Sequence, residues 1–316
     1  MRAQNSATAP RTIAVGASAG STTGSAPAAA SPGARGTLLA LLGVVAFSLT
    51  FPSTVWGLES FGPWSLVAVR STLAALIAGA FLLVGRVRLP ERRHLAGLAV
   101  VAGGVVIGFP LLTTLALQTS TTSHAAVVVG LLPLTTAAFA AARTGRRPSR
   151  TFWAAALAGA AVVIAFTVQQ SGGTLSTGDL YLFGALLVCA AGYTEGGRLA
   201  RLMPGWQVIG WALVFCLPLM VPASAVALAL EPVHLTAHGV IGLAWVAAGS
   251  TFFGLYVWYR GMASIGIPRA SQLQLAQPLL TLVWSVLLLG ESLPLAAPLA
   301  AVGVLVCIAV TQRARS

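Results

Sequence analysis

From Gly36 onward, apolar stretches long enough to cross a lipid bilayer follow one another with only short polar interruptions. A helix of about 20 apolar residues spans the hydrocarbon core of a membrane, and a chain made of such segments has too little polar surface for a soluble fold. Only 8% of the residues are charged, compared with about 25% in a typical soluble domain. The sequence therefore predicts an all-α integral membrane protein.

The chain divides into a polar tail and a membrane region. Residues 1–35 are rich in Ala, Ser, Thr, Gly and Pro and contain no aromatic residue, so we predict a disordered cytoplasmic tail. At about 28 residues per span and loop, the remainder has room for ten transmembrane helices. Five predicted spans lie between Thr37 and Val168, and five lie between Gly178 and Thr311.

The distribution of arginine gives the orientation of these helices. The net charge is +12, and cationic loops are retained on the cytoplasmic side of a membrane. With ten spans and both termini inside, every Arg except Arg70 falls in a cytoplasmic segment. The external loops then carry Glu59, Asp179, Glu231 and Glu291. We predict a multi-pass protein of the cell (plasma or inner) membrane whose basic residues orient it in the lipid bilayer and bind no nucleic acid.

The two groups of five helices also resemble each other in sequence. The matching pairs are Trp64 with Trp206 at an offset of 142 residues, and Pro133 with Pro278 and Thr136 with Thr281 at an offset of 145. Because each unit, 36–169 and 176–312, holds five helices, the second must enter the membrane inverted. Inverted repeats place a substrate site near the membrane midplane and favour alternating access.

These features resemble the EamA-type permeases of the drug/metabolite transporter superfamily. The resemblance rests on Pro63–Arg70 and on two related segments, Ser123–Ser149 and Pro268–Pro294, each with a central proline and a final glycine-containing loop. It implies two inverted five-helix units and a cavity between the third, fourth, eighth and ninth spans. It also implies amino acids, their derivatives or drug-like metabolites as substrates, with export favoured over uptake. The family usually has an acid after the loop glycine in both copies, whereas this chain has Glu291 in the second and Arg146 in the first.

The ninth predicted span, Ile267–Leu288, carries the most polar helix face. Ser271, Gln274, Pro278, Thr281 and Ser285 recur at steps of three and four residues, with Gln277 at the edge of the same face. Such a stripe must face protein or water, because unpaired polar groups are costly in lipid. It either lines a cavity or bonds neighbouring helices. Ser271, Gln274, Gln277 and Thr281 are accordingly candidate substrate-binding residues.

Three further residues are candidates because they are polar at unusual positions. Arg70 lies about 9 Å into the membrane. There it either snorkels outward or caps neighbouring carbonyls, or it contacts a gate or a substrate, for which a carboxylate-bearing solute would be suited. His124 begins the fourth span and is either a hydrogen-bonded loop residue or a substrate-binding residue beside the cavity. Glu195 is an acid within a predicted span, close to its cytoplasmic end, and it either pairs with Arg198 or couples transport to protons.

Together these residues favour a secondary transporter of a small organic solute. An intramembrane enzyme would need a nucleophile and a base at a shared depth, and a channel would need a selectivity ring; neither pattern is present in the sequence. Glu231, His234 and His238 are too weak a set to predict a metal site, and we expect no cofactor. The expected partners are a small-molecule substrate and the bilayer; the sequence leaves open whether the chain forms a homo-oligomer.

Overall fold

The computed structural model describes residues 32–144, 149–170, 174–265 and 273–313. This part of the chain is helical and contains no β-strand. Eight helices are long and apolar enough to cross a membrane: α1 Ala34–Leu58, α2 Pro63–Val84, α3 Arg92–Ala116, α4 Thr122–Arg143, α5 Arg150–Gln170, α6 Thr177–Leu199, α7 Gly205–Leu230 and α8 Ala237–Met262. Two shorter apolar helices follow, α9 Ala276–Leu289 and α10 Ala296–Arg313. The predicted all-helical membrane fold is confirmed, whereas the count of ten spans stays a prediction.

The boundaries differ from the predicted ones mainly at two places. Helical structure begins at Pro32, so the last four residues of the predicted tail belong to the first helix. The ninth predicted span begins at Ile267, but residues 266–272 lie outside the described part of the chain, which resumes at Leu273.

Each helix of one half packs on a helix of the other half, and the two halves make equivalent contacts. The first helix of each half packs on the third helix of the other, which gives the pairs α1 with α8 and α6 with α3. The second helices, α2 and α7, pack together, and so do the fifth helices, α5 and α10. This exchange pattern is the packing expected of a protein built from two related five-helix units.

The charged residues separate between the two ends of the bundle. Arg35, Arg86, Arg143, Arg198 and Arg260 lie at or beyond helix ends on one side, which we call the arginine-rich face. Glu59, Asp179, Glu231 and Glu291 lie at the opposite helix ends, which we call the acidic face.

Two acids on the acidic face cap the N-termini of other helices. Glu231 accepts hydrogen bonds from the Ser65 amide and hydroxyl, each at 2.7 Å, at the beginning of α2. Glu291 accepts the amides of Thr122 at 2.7 Å and Ser123 at 3.0 Å at the beginning of α4. Carboxylates stabilise helix N-termini, where backbone donors lack partners within the helix.

The third helix of each half contains a π-helical segment, Ala102–Gly108 in α3 and Trp245–Gly254 in α8. Glycines let both segments pack closely on the first helix of the other half. A Cβ on Gly104 would meet the backbone of α6, and one on Gly254 would lie 3.1 Å from the Ala46 Cβ of α1. The repeat is therefore visible in local backbone geometry as well as in packing.

Candidate functional site

Prolines interrupt three helices near the middle of the bundle. Turns occur at Leu49, at Gly130–Leu131 and at Leu275, and each precedes a proline, namely Pro52, Pro133 or Pro278. Because proline has no N–H, it removes the helical donor for the carbonyl four residues earlier. These carbonyls belong to Ser48, Val129 and Gln274. The Ser48 carbonyl instead accepts a hydrogen bond from the Thr281 hydroxyl at 3.0 Å.

A cavity of about 310 Å³ lies beside these breaks, between α1, α4, α6, α10 and the region around the start of α9. Most of the residues that define it belong to pairs at the same offset as the sequence repeat. The pairs are Val129 with Gln274, Gly130 with Leu275, Leu132 with Gln277, Pro133 with Pro278 and Thr136 with Thr281 at 145 residues, and Phe51 with Tyr193 at 142. The cavity therefore lies where equivalent parts of the two repeats meet.

The paired positions differ in chemistry, and the polar groups are concentrated on α9 and the residues before it. Gln274 and Gln277 supply amides where the first repeat has Val129 and Leu132. On the α4 side, the buried hydroxyl of Thr136 has no hydrogen-bond partner among the described residues. None of the described lining residues carries a charge. The cavity thus offers donors and acceptors to a solute but no counter-ion.

Three of the four candidate substrate-binding residues of the ninth span line this cavity: Gln274, Gln277 and Thr281. Thr281 also donates to the Gln277 carbonyl at 3.0 Å, which fixes its hydroxyl between α9 and α1. Ser285, on the same face, bonds within its own helix. Ser271 lies outside the described residues.

The helices around the cavity differ from those that the family resemblance implied. The fourth and ninth spans contribute as expected, but no described lining residue comes from the third or the eighth. The first, sixth and tenth take their place. The physical reason is that α3 and α8 are held behind α6 and α1 by the close packing of their π-helical segments.

Arg70 is buried between α2 and α8, away from the lining of this cavity. Its Nη2 donates to the Thr251 hydroxyl at 2.9 Å and, at 3.5 Å, to the Val246 carbonyl. Thr251 in turn donates to the same carbonyl at 2.6 Å. The guanidinium therefore bonds the π-helical segment of α8, in agreement with the capping alternative. The described cavity gains no carboxylate-binding group from it.

His124 faces a second, polar cavity of about 570 Å³ on the acidic face, which we call the vestibule. Its lining comes from Thr119–Thr121, Ser123, His124, Gln170, Ser176 and Ser292–Pro294. The His124 Nε2 lies 2.7 Å from Asp179 Oδ1, and the side chains of both residues are buried, with exposures of 8% and 1%. The imidazole also stacks on Phe166 at a centroid distance of 5.3 Å.

Glu195 lies at the arginine-rich end of α6 with a buried carboxylate. Arg198 binds Oε1 at 2.6 Å, and Arg143, at the end of α4, binds Oε2 at 2.7 Å. The predicted pair with Arg198 is present, and Arg143 extends it into a link between α4 and α6.

Several site residues were not found from the sequence. Asp179 and Arg143 were missed as partners of His124 and Glu195, because their contacts join helices that are distant in sequence. Phe51 and Tyr193 were also missed, although the offset of 142 residues that pairs Trp64 with Trp206 pairs them as well. Applied along the whole chain, that offset would have found both aromatic residues.

A bundle of membrane-spanning helices made of two repeats, with a cavity of solute size at their junction, defines a membrane transporter of the two-repeat class. The sequence profile of the EamA-like transporter family matches residues 34–168 and 176–312. The chain belongs to this family, which is part of the drug/metabolite transporter superfamily.

Two similar proteins support this assignment. A Bacillus subtilis (strain 168) protein named uncharacterized transporter YdeK is 42% identical over 282 residues, which cover 88% of this chain and 97% of that protein. A solved crystal structure is similar in fold, with a TM-score of 0.63 at 21% identity over 87% of this chain and 97% of that one. At that identity the second comparison shows the fold alone.

Proposed function

We propose that this transporter is a secondary carrier of small, net-neutral organic solutes, such as amino acids or related metabolites. The observation that carries the proposal is the cavity lined by repeat-related pairs. Its volume is at the lower end of the range for small-molecule sites, about 300–1,000 Å³. The amides of Gln274 and Gln277 and the free hydroxyl of Thr136 suit a solute with both donors and acceptors. Phe51 and Tyr193 suit an apolar side group.

The absence of charge from the described lining favours a zwitterion or a neutral metabolite over an ion. A solute with net charge would enter a low-dielectric site without a partner, which is costly. A zwitterion can satisfy its ammonium group with carbonyl oxygens and its carboxylate with amide and hydroxyl donors. The carbonyls of Val129 and Gln274, which lack a helical donor, are acceptors of this kind.

Alternating access between the two faces follows from the position of the cavity. On the acidic side, the α4 segment Thr122–Val129, all of whose residues are buried, separates the cavity from the vestibule. On the other side the cavity reaches Ala140, about one turn from Arg143. Rocking of the repeats would move this separation from one side of the solute to the other.

We further propose that the protein crosses the cell membrane ten times with both termini in the cytoplasm. The arginine-rich face would then be cytoplasmic, as cationic loops favour. Accessibility of tags fused to the two termini, measured in intact and in permeabilised cells, tests this orientation. Labelling of either terminus in intact cells would refute it.

The transport proposal is tested by counterflow in proteoliposomes preloaded with each of the twenty amino acids in turn. Gln274→Val and Gln277→Leu give the second repeat the residues of the first, and Gln207→Leu removes an amide from outside the cavity. Loss of one solute hydrogen bond, about 1.4 kcal/mol, should raise KM about tenfold in the cavity variants but not in the control.

Two results would contradict the proposal. One is the absence of exchange for all amino acids and for a panel of neutral metabolites. The other is an equal effect of the cavity variants and Gln207→Leu. Passive flux without counterflow would favour a channel, and breakdown of the added solute would favour an enzyme.

A further inference from the structure

We propose that the His124–Asp179 pair is a proton-binding site through which the pH on the acidic face controls access to the cavity. The inference rests on the proposed function, because the process it controls is solute exchange. It assigns the proton to His124 and not to Glu195, whose carboxylate is already bound by two arginines.

The position of His124 connects the vestibule with the cavity. Its imidazole lines the vestibule, while Ala126 and Val129, on the same short helix segment, line the cavity. The buried segment that carries all three, Thr122–Val129, contributes to the lining of both spaces. A change in how firmly His124 is held therefore acts directly on this segment.

Among the residues that the structure describes, few other titratable groups lie around His124. Asp179 is the acid that contacts the imidazole, and Glu291 binds the amides at the start of the same helix. α5 contributes Phe166 and Gln170, which do not titrate. No titratable residue occurs in two of the segments packed on this helix, Thr50–Leu58 and Ala276–Leu289. The titratable residues of α10 are Cys307 and, at the far end of the helix, Arg313. On α6, Tyr181 follows Asp179, and its remaining titratable residues lie more than two turns further along.

Ser176 holds the Asp179 carboxylate in place, so a proton on His124 changes the strength of the bond between the imidazole and this carboxylate. Asp179 Oδ2 accepts both the amide and the hydroxyl of Ser176, at 2.7 and 2.8 Å, and Oδ1 lies 2.7 Å from His124 Nε2. Proton uptake converts a hydrogen bond from a neutral ring into an imidazolium–carboxylate bond, which is about twice as strong. Protonation should therefore hold Thr122–Val129 in place and keep the acidic side closed, and deprotonation should release it.

The sign of the pH effect follows from this argument. Imidazole is the side chain that changes charge between about pH 5 and 8. Exchange should be slow at the acid end of this range and should rise with pH. We expect the exchange rate to change severalfold across this range, with faster exchange at higher pH.

The first measurement is the pH profile of amino-acid counterflow between about pH 5 and 8. His124→Gln and Asp179→Asn should flatten the profile. His238→Gln, which removes another histidine of the acidic face, and Glu195→Gln should leave its midpoint unchanged. An unchanged profile in His124→Gln would overturn the proposal, and so would a wild-type profile without pH dependence.

The second measurement uses the unmodified protein and requires neither transport nor a variant that folds. Full-length protein with ¹⁵N-labelled histidine in lipid nanodiscs is titrated by NMR over the same range. His124 should change protonation state while hydrogen-bonded to Asp179; an imidazole that does not titrate would refute the proton site. Titration without exchange of any solute would preserve the proton site and refute the proposed function instead.

Discussion

Close packing of α3 on α6 depends on the missing side chain of Gly104, and Gly104→Ala tests it. A Cβ at this position would lie less than 3.0 Å from the Val188 carbonyl oxygen, a separation that real Cβ contacts essentially never show. It would also lie 3.1 Å from the Gly192 Cα. The adjacent Gly103 is a matched control, because a Cβ there meets nothing within 4 Å.

The expected cost follows from the nature of the atoms that the new methyl group meets. Val188 and Gly192 present backbone, which cannot turn aside as the end of a flexible side chain could. The two helices must therefore separate, and overpacking of this kind costs about 1–3 kcal/mol. Gly103→Ala should be neutral or stabilising by up to about 1 kcal/mol, because alanine favours a helix over glycine.

The free energy of unfolding can be measured by titrating the protein in mixed micelles with a denaturing detergent and following the far-UV circular dichroism. Gly104→Ala should shift the transition to lower denaturant concentration, and Gly103→Ala should not. Equal stability of Gly104→Ala and the wild type, or an equal loss in both variants, would refute the reasoning. Either result would mean that α3 and α6 are not packed backbone to backbone.

Two further predictions use the same unfolding assay. Thr251→Val should lower the free energy of unfolding by about 1–3 kcal/mol, because Arg70 loses its shorter hydrogen bond in a buried site. In an Arg70→Met background the same substitution should lower it by less. An equal loss in both backgrounds would exclude this interaction. Glu231→Gln should lower the free energy of unfolding by about 1 kcal/mol, because glutamine caps the start of α2 more weakly than glutamate does. Glu59→Gln should lower it by less, because the Glu59 carboxylate is partly exposed beside His238. The reverse order would contradict the capping role.

The sequence was informative about the fold because a membrane imposes simple rules on composition. Lipid excludes unpaired polar groups, so apolar spans and arginine-rich loops can be recognised without tertiary contacts. The same exclusion made Gln274, Gln277 and Thr281 conspicuous. The π-helical segments of α3 and α8 have no comparable signature, since their residues are as apolar as those of an ordinary span. For this reason the partner of Arg70 and the helices around the cavity were not predictable.

The two repeats share a backbone fold but differ in the residue at the position of Glu291, which contacts a helix start. At the acidic face, the carboxylate of Glu291 accepts two amides at the start of α4 and holds the segment above the cavity. Its mate in the first repeat is Arg146, a residue outside the described part of the chain. A guanidinium has no lone pair with which to accept an amide hydrogen, and a cation is unfavourable at a helix N-terminus. Arg146 therefore cannot accept amide hydrogens as Glu291 does. If the two repeats exchange conformations during transport, this difference lowers the free energy of the state that is closed on the acidic side.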